Sequence, residues 1–163
     1  MKKTMTSINP PFSNLILDGI KKIEWRTKPL PLGWSELYET KKKGGLGKIT
    51  GQFEVVENIK FNLKGDTYKK SWLEKGCVPY EFLVKYANGK DYLYANVIGG
   101  VERYDKPKQL SEFYKPCPQY YSSYEEGICA EMCVWYDMGI CKNFSLPITR
   151  PPQSWCYVES LGE

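Results

Sequence analysis

The hydrophobic pattern of this chain changes from helical to alternating at Gly19. Around this glycine, apolar side chains recur at the spacing of an amphipathic helix: Phe12, Leu15, Ile16 and Ile20. Asn9 can cap such a helix, and Pro10 and Pro11 suit its first turn. Gly19 can end the helix because glycine adopts the left-handed C-terminal conformation at no steric cost.

After Gly19 the side chains alternate with a period of two, which predicts a strand. One face of the strand is apolar, with Ile23 and Trp25. The other face carries only charged side chains: Lys22, Glu24 and Arg26. A helix, a glycine stop and a half-charged strand therefore open the chain.

The rest of the chain is predicted to be mainly strands. These are expected at Ser35–Thr40, Ile49–Phe61, Tyr92–Tyr104 and Ser154–Val158. Helical patterns occupy 66–75 and 79–87, a turn is expected at Asn88-Gly89, and a short helix from Pro107 to Tyr114. With 163 residues, the chain is expected to form one α+β domain, a small mixed or antiparallel β-barrel with flanking helices.

The absence of histidine restricts the chemistry that is available. It excludes His-based acid–base catalysis, Ser-His and Cys-His nucleophiles, and metal sites that contain His. The basic N-terminus is not followed by the apolar stretch of a signal peptide, and no apolar run reaches the roughly 18 residues that span a bilayer. We therefore expect a cytoplasmic protein with no membrane partner.

The six cysteines are expected to be reduced in that compartment. A tetrahedral zinc site needs four ligands, and four of the cysteines could supply them: Cys117, Cys129, Cys133 and Cys141. Their spacing has no C-x2-C knuckle, and 125–140 resembles a helix with Cys129 and Cys133 on one apolar face. Buried free thiols explain this pattern better, so we expect no metal and no cofactor.

Positive charge is concentrated in the N-terminal part. Residues 1–48 carry ten Lys and Arg against four Asp and Glu, whereas 117–163 carry two against six. The loop 41-KKKGGLGK-48, which ends at Lys48, lacks the spacing of a phosphate-binding P-loop. It suits a polyanionic partner as a mobile basic loop, or it is simply a solvated loop.

The opening segment 7-SINPPFSNLILDGIKKIEWRTK-28 resembles that of ASCH domains, which belong to the PUA-like β-barrel superfamily. The matching motif is G-x-K-x-x-E-x-R, after an amphipathic helix. Later segments match in order: 37-LYET-40, 49-ITGQFEVVENI-59 and 102-ERYDKPKQLSEF-113. The resemblance covers about 4–115 and a closing strand at about 151–159, which leaves 117–145 as a Cys- and Tyr-rich insertion.

The resemblance implies a pseudo-barrel with a charged cleft where the first helix meets the second strand. Members of the superfamily bind RNA or act in RNA-related processes. One branch with a similar fold is an amidohydrolase that removes the acetyl group of N4-acetylcytidine, and another has been linked to cleavage of single-stranded RNA.

Lys21, Glu24 and Arg26 are the strongest candidates for the site. Two cations can hold a phosphate or carboxylate, and Arg can do so with two parallel hydrogen bonds. Glu24 can pair with either cation or accept from the exocyclic amine of a base. The alternative is an exposed ion pair on a barrel strand, which contributes about 0–1 kcal/mol.

The hydrolase branch implies a Lys that activates a Thr hydroxyl three residues later. Lys21 matches, but Glu24 occupies the Thr position. Because a carboxylate does not replace an activated hydroxyl, this departure argues against the amidohydrolase activity. If the protein is an enzyme, Lys21 and Glu24 are the catalytic candidates, with Glu24 activating a water.

Further binding candidates come from the second predicted strand and from the tail. Tyr38 and Thr40 share a face, so Tyr38 can stack on a base and Thr40 can donate to phosphate, unless Tyr38 packs in the core. Arg150, Ser154 and Trp155 can complete the cleft if the last strand pairs beside the first, or Trp155 can close the core.

The sequence thus predicts an RNA- or nucleotide-binding ASCH domain protein. Two alternatives stay open: a small hydrolase of a modified nucleoside or of single-stranded RNA, and a domain that senses a small anionic metabolite. We expect alanine at Lys21 or Arg26 to weaken ligand binding and to leave thermal stability nearly unchanged.

Overall fold

The computed structural model describes residues 3–65, 69–116 and 145–160. In these ranges the chain forms eight strands: β1 Lys3–Ile8, β2 Ile23–Arg26, β3 Gly33–Glu39, β4 Lys48–Asn62, β5 Tyr92–Lys108, β6 Phe113–Pro116, β7 Ser145–Pro147 and β8 Trp155–Ser160. Three α-helices accompany them: α1 Phe12–Leu17, α2 Lys69–Gly76 and α3 Tyr80–Ala87. None of the helices in the described ranges is long and apolar enough to cross a membrane.

The eight strands form one mixed sheet in the order β2-β5-β4-β3-β1-β8-β6-β7. β1 and β3 run parallel, and the other neighbouring strands run antiparallel. Within the described ranges β2 and β7 are the two ends of this order, so the barrel is open. The predicted α+β barrel with flanking helices is confirmed.

The sheet curls enough to bring its β2 end back toward β1 and β8. One Arg26 amino group donates to the Ser7 carbonyl at 2.8 Å, and the other lies 3.4 Å from Ser154 Oγ. The Ser7 amide also donates to the Ser154 carbonyl at 2.9 Å. Register shifts in the β3–β4 and β4–β5 ladders accompany this curvature, as expected where bulges bend strands.

Two apolar clusters hold the helices against the sheet. One packs α1 against the centre of the sheet through Ile8, Ile16, Leu17, Leu30, Leu37, Phe53, Val55 and Ile98. The other packs α3 against β2 and β5 through Ile23, Trp25, Leu63, Val78, Leu83, Ala87, Leu93 and Ala95, and α2 joins it through the partly buried Trp72 and Leu73. The apolar face predicted for β2 is thus what α2 and α3 cover, and the charged face is left for the site.

A buried amide fixes the position of β2. The Asn96 side chain, fully buried on β5, donates to the Glu24 carbonyl at 2.8 Å and accepts from the Leu30 amide at 2.8 Å. These bonds hold both β2 and the loop that follows it to β5. A buried amide satisfied in this way specifies one geometry, because any shift leaves polar groups unpaired.

Three local predictions were wrong. α1 begins at Phe12, and Asn9 does not cap it: the Asn9 side chain instead accepts a hydrogen bond from Thr40. β1, whose residues lack strict alternation and are buried along almost its whole length, was missed. Pro107 lies in β5, and the predicted short helix is only a 3-10 turn at Leu110–Glu112.

Other local predictions were confirmed. Gly19 adopts a left-handed φ of 69° directly after α1. The predicted strands at Ile49–Phe61 and Tyr92–Tyr104 are parts of the longer β4 and β5. Cys77 and Cys156 are unpaired within the described residues, which does not test the expectation of reduced cysteines; the four cysteines weighed as a zinc site and the helix at 125–140 lie outside the described residues.

Gly76 is where α2 meets β2 most closely. A Cβ atom at Gly76 would stand 2.0 Å from Trp25 Nε1, which is closer than atoms can approach. We therefore expect Gly76→Ala to displace Trp25 and to lower the midpoint of thermal unfolding by roughly 2–10 °C, from an overpacking cost of about 1–3 kcal/mol.

Gly65→Ala is the matched control, because a Cβ there would make only ordinary contacts, the nearest at 3.6 Å. Differential scanning calorimetry of both variants gives the comparison. Equal midpoints for the two variants would contradict the packing of α2 on Trp25.

Candidate functional site

A cleft of about 820 Å³ opens on the charged side of β2. Its walls come from α1, β2, the end of β3, α3 and the segment 151–153. This volume lies in the range of small-molecule binding sites. The predicted location, where the first helix meets the strand that follows it, is therefore a real concavity.

Lys21 lies at the bottom of this cleft and is only 2% exposed. Its Nζ donates to the Gly76 carbonyl at 2.5 Å and lies 3.5 Å from Glu24 Oε2. The ring centroid of Phe12 is 5.1 Å from the same Nζ. Burial lowers the pKa of Lys21, and the neighbouring Glu24 carboxylate opposes that shift.

Glu24 joins the two cations of the site. Its Oε1 accepts a hydrogen bond from Arg26 Nε at 3.0 Å, while its Oε2 faces Lys21. Glu24 is 8% exposed, and Arg26 is also largely buried. The predicted trio is therefore assembled, but as a buried network and not as the exposed ion pair that was its alternative.

The trio leaves binding capacity toward the cleft. Arg26 has five N–H donors, and the contacts to Glu24, Ser7 and Ser154 use three of them. The network carries two positive charges against one negative charge. An anion that reaches Arg26 therefore meets a net positive charge in a partly desolvated place, where electrostatic attraction is stronger than in water.

Lys41 and Lys42 add positive charge at the rim of the cleft, and both side chains are exposed. Glu39, buried just before them, connects α1 to the far end of this basic loop. Its carboxylate accepts from Ser13 Oγ of α1 at 2.7 Å and from the Leu46 amide at 2.9 Å. Two of the lysines of the predicted basic loop thus face the site.

Tyr38 and Thr40 also line the cleft, as their shared strand face predicted. Tyr38 is only 5% exposed and packs with Met5 and Ile49 in a third apolar cluster, and burial raises its pKa. Core packing, the alternative weighed for this ring, describes its position, so its face is not open to a base. Thr40 Oγ1 donates to Asn9 Oδ1 at 2.6 Å and keeps its acceptor capacity.

The remaining predicted residues do not line the cleft. Lys48 begins β4, Arg150 is exposed elsewhere, and Trp155 packs against the cluster that holds α1. Ser154 contacts two residues of the site, Arg26 through its hydroxyl and Ser7 through its carbonyl. The tail instead contributes the segment 151–153 to the cleft. Ser7 Oγ donates a hydrogen bond to the Pro152 carbonyl of this segment at 2.6 Å.

The aromatic wall of the cleft was missed. Phe12 on α1 and Phe82 and Tyr86 on α3 line it together. A signal existed, because Phe82 and Tyr86 are four residues apart on α3 and Leu83 and Ala87 occupy its buried face. Only the packing of α3 beside β2, however, brings these rings to the charged trio.

Chemistry in this cleft rests on ammonium, guanidinium, carboxylate and hydroxyl groups. In residues 3–65, 69–116 and 145–160, no group of three or more cysteine and acidic side chains is arranged to hold a metal ion. The ammonium, guanidinium, carboxylate and hydroxyl groups can bind an anion, accept a hydrogen bond from an amine, and move a proton through Glu24 or Lys21.

The buried network changes the expected effect of substitutions at Lys21. Lys21→Met removes the donor to the Gly76 carbonyl and one partner of Glu24. We expect it to lower the free energy of unfolding by roughly 2–5 kcal/mol, contrary to the expectation of unchanged stability drawn from the sequence.

A double-mutant cycle with Glu24→Gln tests the coupling by urea denaturation. The free energy of unfolding should fall less in the double variant than the sum of the two single decreases, with a coupling energy of about 0.5–3 kcal/mol. Lys22→Met, on an exposed neighbour, is the matched control. If Lys21→Met were as stable as Lys22→Met, the network would not be structural.

Comparison with known proteins gives a fold but no sequence family. No family model and no curated protein matches the sequence. Among solved structures, ASCH from Zymomonas mobilis has a TM-score of 0.63 and 17% identity, over 97% of this chain and 88% of that chain. A Tyr-to-Phe variant of ZmASCH has a TM-score of 0.63 and 17% identity, over 98% of this chain and 91% of that chain. A Ser-to-Ala variant has a TM-score of 0.63 and 15% identity, over 97% of this chain and 89% of that chain. The chain therefore has the ASCH-type fold that its opening motif resembles.

Proposed function

We propose that this ASCH-fold protein binds single-stranded RNA, or a nucleotide-like ligand, in the cleft at β2. The observation that carries the proposal is the presence of cations and open aromatic rings around one concavity. A nucleotide combines an anionic phosphate with a flat base, and single-stranded nucleic acid is bound by basic grooves that also contain aromatic side chains. The resemblance to a superfamily with RNA-related members points in the same direction.

The cations have two different roles in this proposal. Lys41 and Lys42 are exposed, so they can follow a phosphate backbone at the rim. Arg26 is held by three protein contacts, so it is a fixed donor deeper in the cleft. Fixed donors lose little side-chain entropy on binding, whereas exposed lysines contribute mainly by counterion release.

The test is fluorescence anisotropy of a labelled mixed-sequence single-stranded RNA at several salt concentrations. We expect binding that weakens with salt. Substituting both Lys41 and Lys42 with Gln should lower the slope of log K against log salt by about 1.4, because each phosphate contact in a single strand contributes about 0.7.

The matched control replaces Lys90 and Lys106, which are exposed and outside the cleft, with Gln. It removes the same charge and should leave the slope nearly unchanged. Equal losses in both double variants would indicate attraction by net charge alone, and an absence of RNA binding at micromolar protein would contradict the proposal for the polymer.

If the protein does not bind RNA, a small anionic ligand is the remaining occupant of the cleft. Its binding by Arg26 would depend little on salt, because few counterions are displaced. Isothermal titration with a nucleoside monophosphate separates the two kinds of ligand. Salt-insensitive binding there, without RNA binding, would favour the metabolite sensor.

Hydrolysis is a second candidate, favoured by the buried Lys21 with its lowered pKa beside a carboxylate in a cleft. Glu24 would accept a proton from an attacking water, and Lys21 would stabilise the negative charge that develops. Thr27, the closest hydroxyl in sequence after Lys21, does not line the cleft.

Incubation of N4-acetylcytidine and of single-stranded RNA with wild type and with Glu24→Gln tests this candidate. Turnover that Glu24→Gln abolishes, at a temperature where the variant is folded, would support hydrolysis. Absence of turnover with both substrates would leave binding alone.

A further inference from the structure

Resting on the proposed function, we infer that Phe82 and Tyr86 of α3 form a stacking surface for one unpaired nucleobase of the bound strand. The base would lie against these rings, and its phosphates would face the cations. The protein would then recognise the bases of single-stranded RNA and not only its charge.

The two rings are partly exposed and belong to none of the three apolar clusters that form the core. They are four residues apart on α3, so they lie on one side of the helix. Their planes are within 14° of parallel, with ring centroids 6.3 Å apart. Phe82 is 45% exposed and Tyr86 38% exposed, although both line the cleft.

α3 holds these rings in place through its neighbouring, buried face. Leu83 and Ala87 are buried against β2 and β5, which fixes the rotation of the helix about its axis. The helix ends at Asn88 in a left-handed conformation, and the Asn88 amide donates to the Lys85 carbonyl. The rings are therefore on a rigid element, which lowers the entropy cost of stacking.

Phe12 on α1 supplies a third ring beside Phe82. Its centroid is 6.3 Å from that of Phe82, and the two planes are inclined by 59°. A base against Phe82 and Tyr86 would meet Phe12 at an angle, in the edge-to-face geometry that aromatic rings favour. Lys21 lies under Phe12, so the aromatic wall and the charged trio are continuous.

Tyr86 also connects the aromatic wall to the charges electrostatically. Burial raises its pKa, Arg26 opposes that shift and Glu24 reinforces it, so the hydroxyl stays protonated near neutral pH. Within the described part of the chain, no hydrogen bond involves this hydroxyl. It is a donor available to a base or sugar oxygen.

An unpaired base fits these features better than other flat or apolar groups. Bases in a duplex are already stacked on each other, so a strand must be single to offer a free face. A small anion would use the cations but leave both rings in water. Stacking of a base on an aromatic side chain is sequence-tolerant, so the preference would be for bases in general.

The test compares two labelled probes of equal length and phosphate number, one a mixed-sequence single-stranded RNA and the other its fully abasic counterpart. Wild type should bind the base-containing strand about tenfold more tightly, which is within the range found for one stacked base. Phe82→Leu should remove most of this preference and leave the affinity for the abasic strand unchanged.

Tyr86→Phe keeps the ring, so it should retain most of the preference and lose only the part that the hydroxyl contributes. Trp34→Leu removes an exposed ring outside the cleft and is the matched control, with no effect expected on either probe. Thermal unfolding of each variant verifies that it is folded at the assay temperature.

The outcomes separate this inference from the proposed function. Equal wild-type affinity for both probes, still dependent on salt, would overturn the stacking surface and leave RNA binding intact. An equal loss of affinity for both probes in Phe82→Leu would also overturn the stacking surface, because the ring would then contact the RNA backbone or support the protein fold. Binding of neither probe would overturn both RNA binding and the stacking surface.

Discussion

The cleft depends on an ammonium group buried beneath its floor. Lys21 Nζ connects the end of α2, through the Gly76 carbonyl, to Glu24 on β2. Burying a charge is unfavourable unless hydrogen bonds and an opposite charge compensate for it, and both are present here. The same network extends through Arg26 to β1 and to the residue before β8. One charged cluster therefore connects β2 to α2 and to β1, which the curled sheet brings close to β2.

This arrangement explains why the site is rigid on one side and open on the other. The Lys21, Glu24 and Arg26 side chains are held by protein partners, and Asn96 fixes the backbone of β2 behind them. The rim lysines and the rings of α3 are exposed. A ligand would thus meet preformed charges in the interior and adaptable cations at the entrance, which is a combination suited to a flexible anionic strand.

The resemblance and the residue pattern predicted the candidate site with uneven success. The G-x-K-x-x-E-x-R motif identified three residues that do lie together, because residues so close in sequence on one turn and strand have few ways to separate. Tyr38 was found by its strand face, but its ring belongs to the core, since alternation predicts a face and not how much of a ring is covered. In the tail, the cleft is lined by the segment 151–153, which lies between the predicted Arg150 and the predicted Ser154 and Trp155.

The sequence by itself determined the local elements: the glycine that ends α1, the half-charged β2, the long β4 and β5, and the basic loop at 41–48. Hydrophobic period and glycine conformation are local properties, so they can be inferred without a structure. Only the tertiary structure decided which charges are buried and which rings are open. Lys21 finds its carbonyl partner 55 residues away, and Phe82 and Tyr86 reach the cleft because α3 packs on β2. Such contacts depend on the curl of the sheet and the seating of the helices, which the spacing of residues along the chain does not encode.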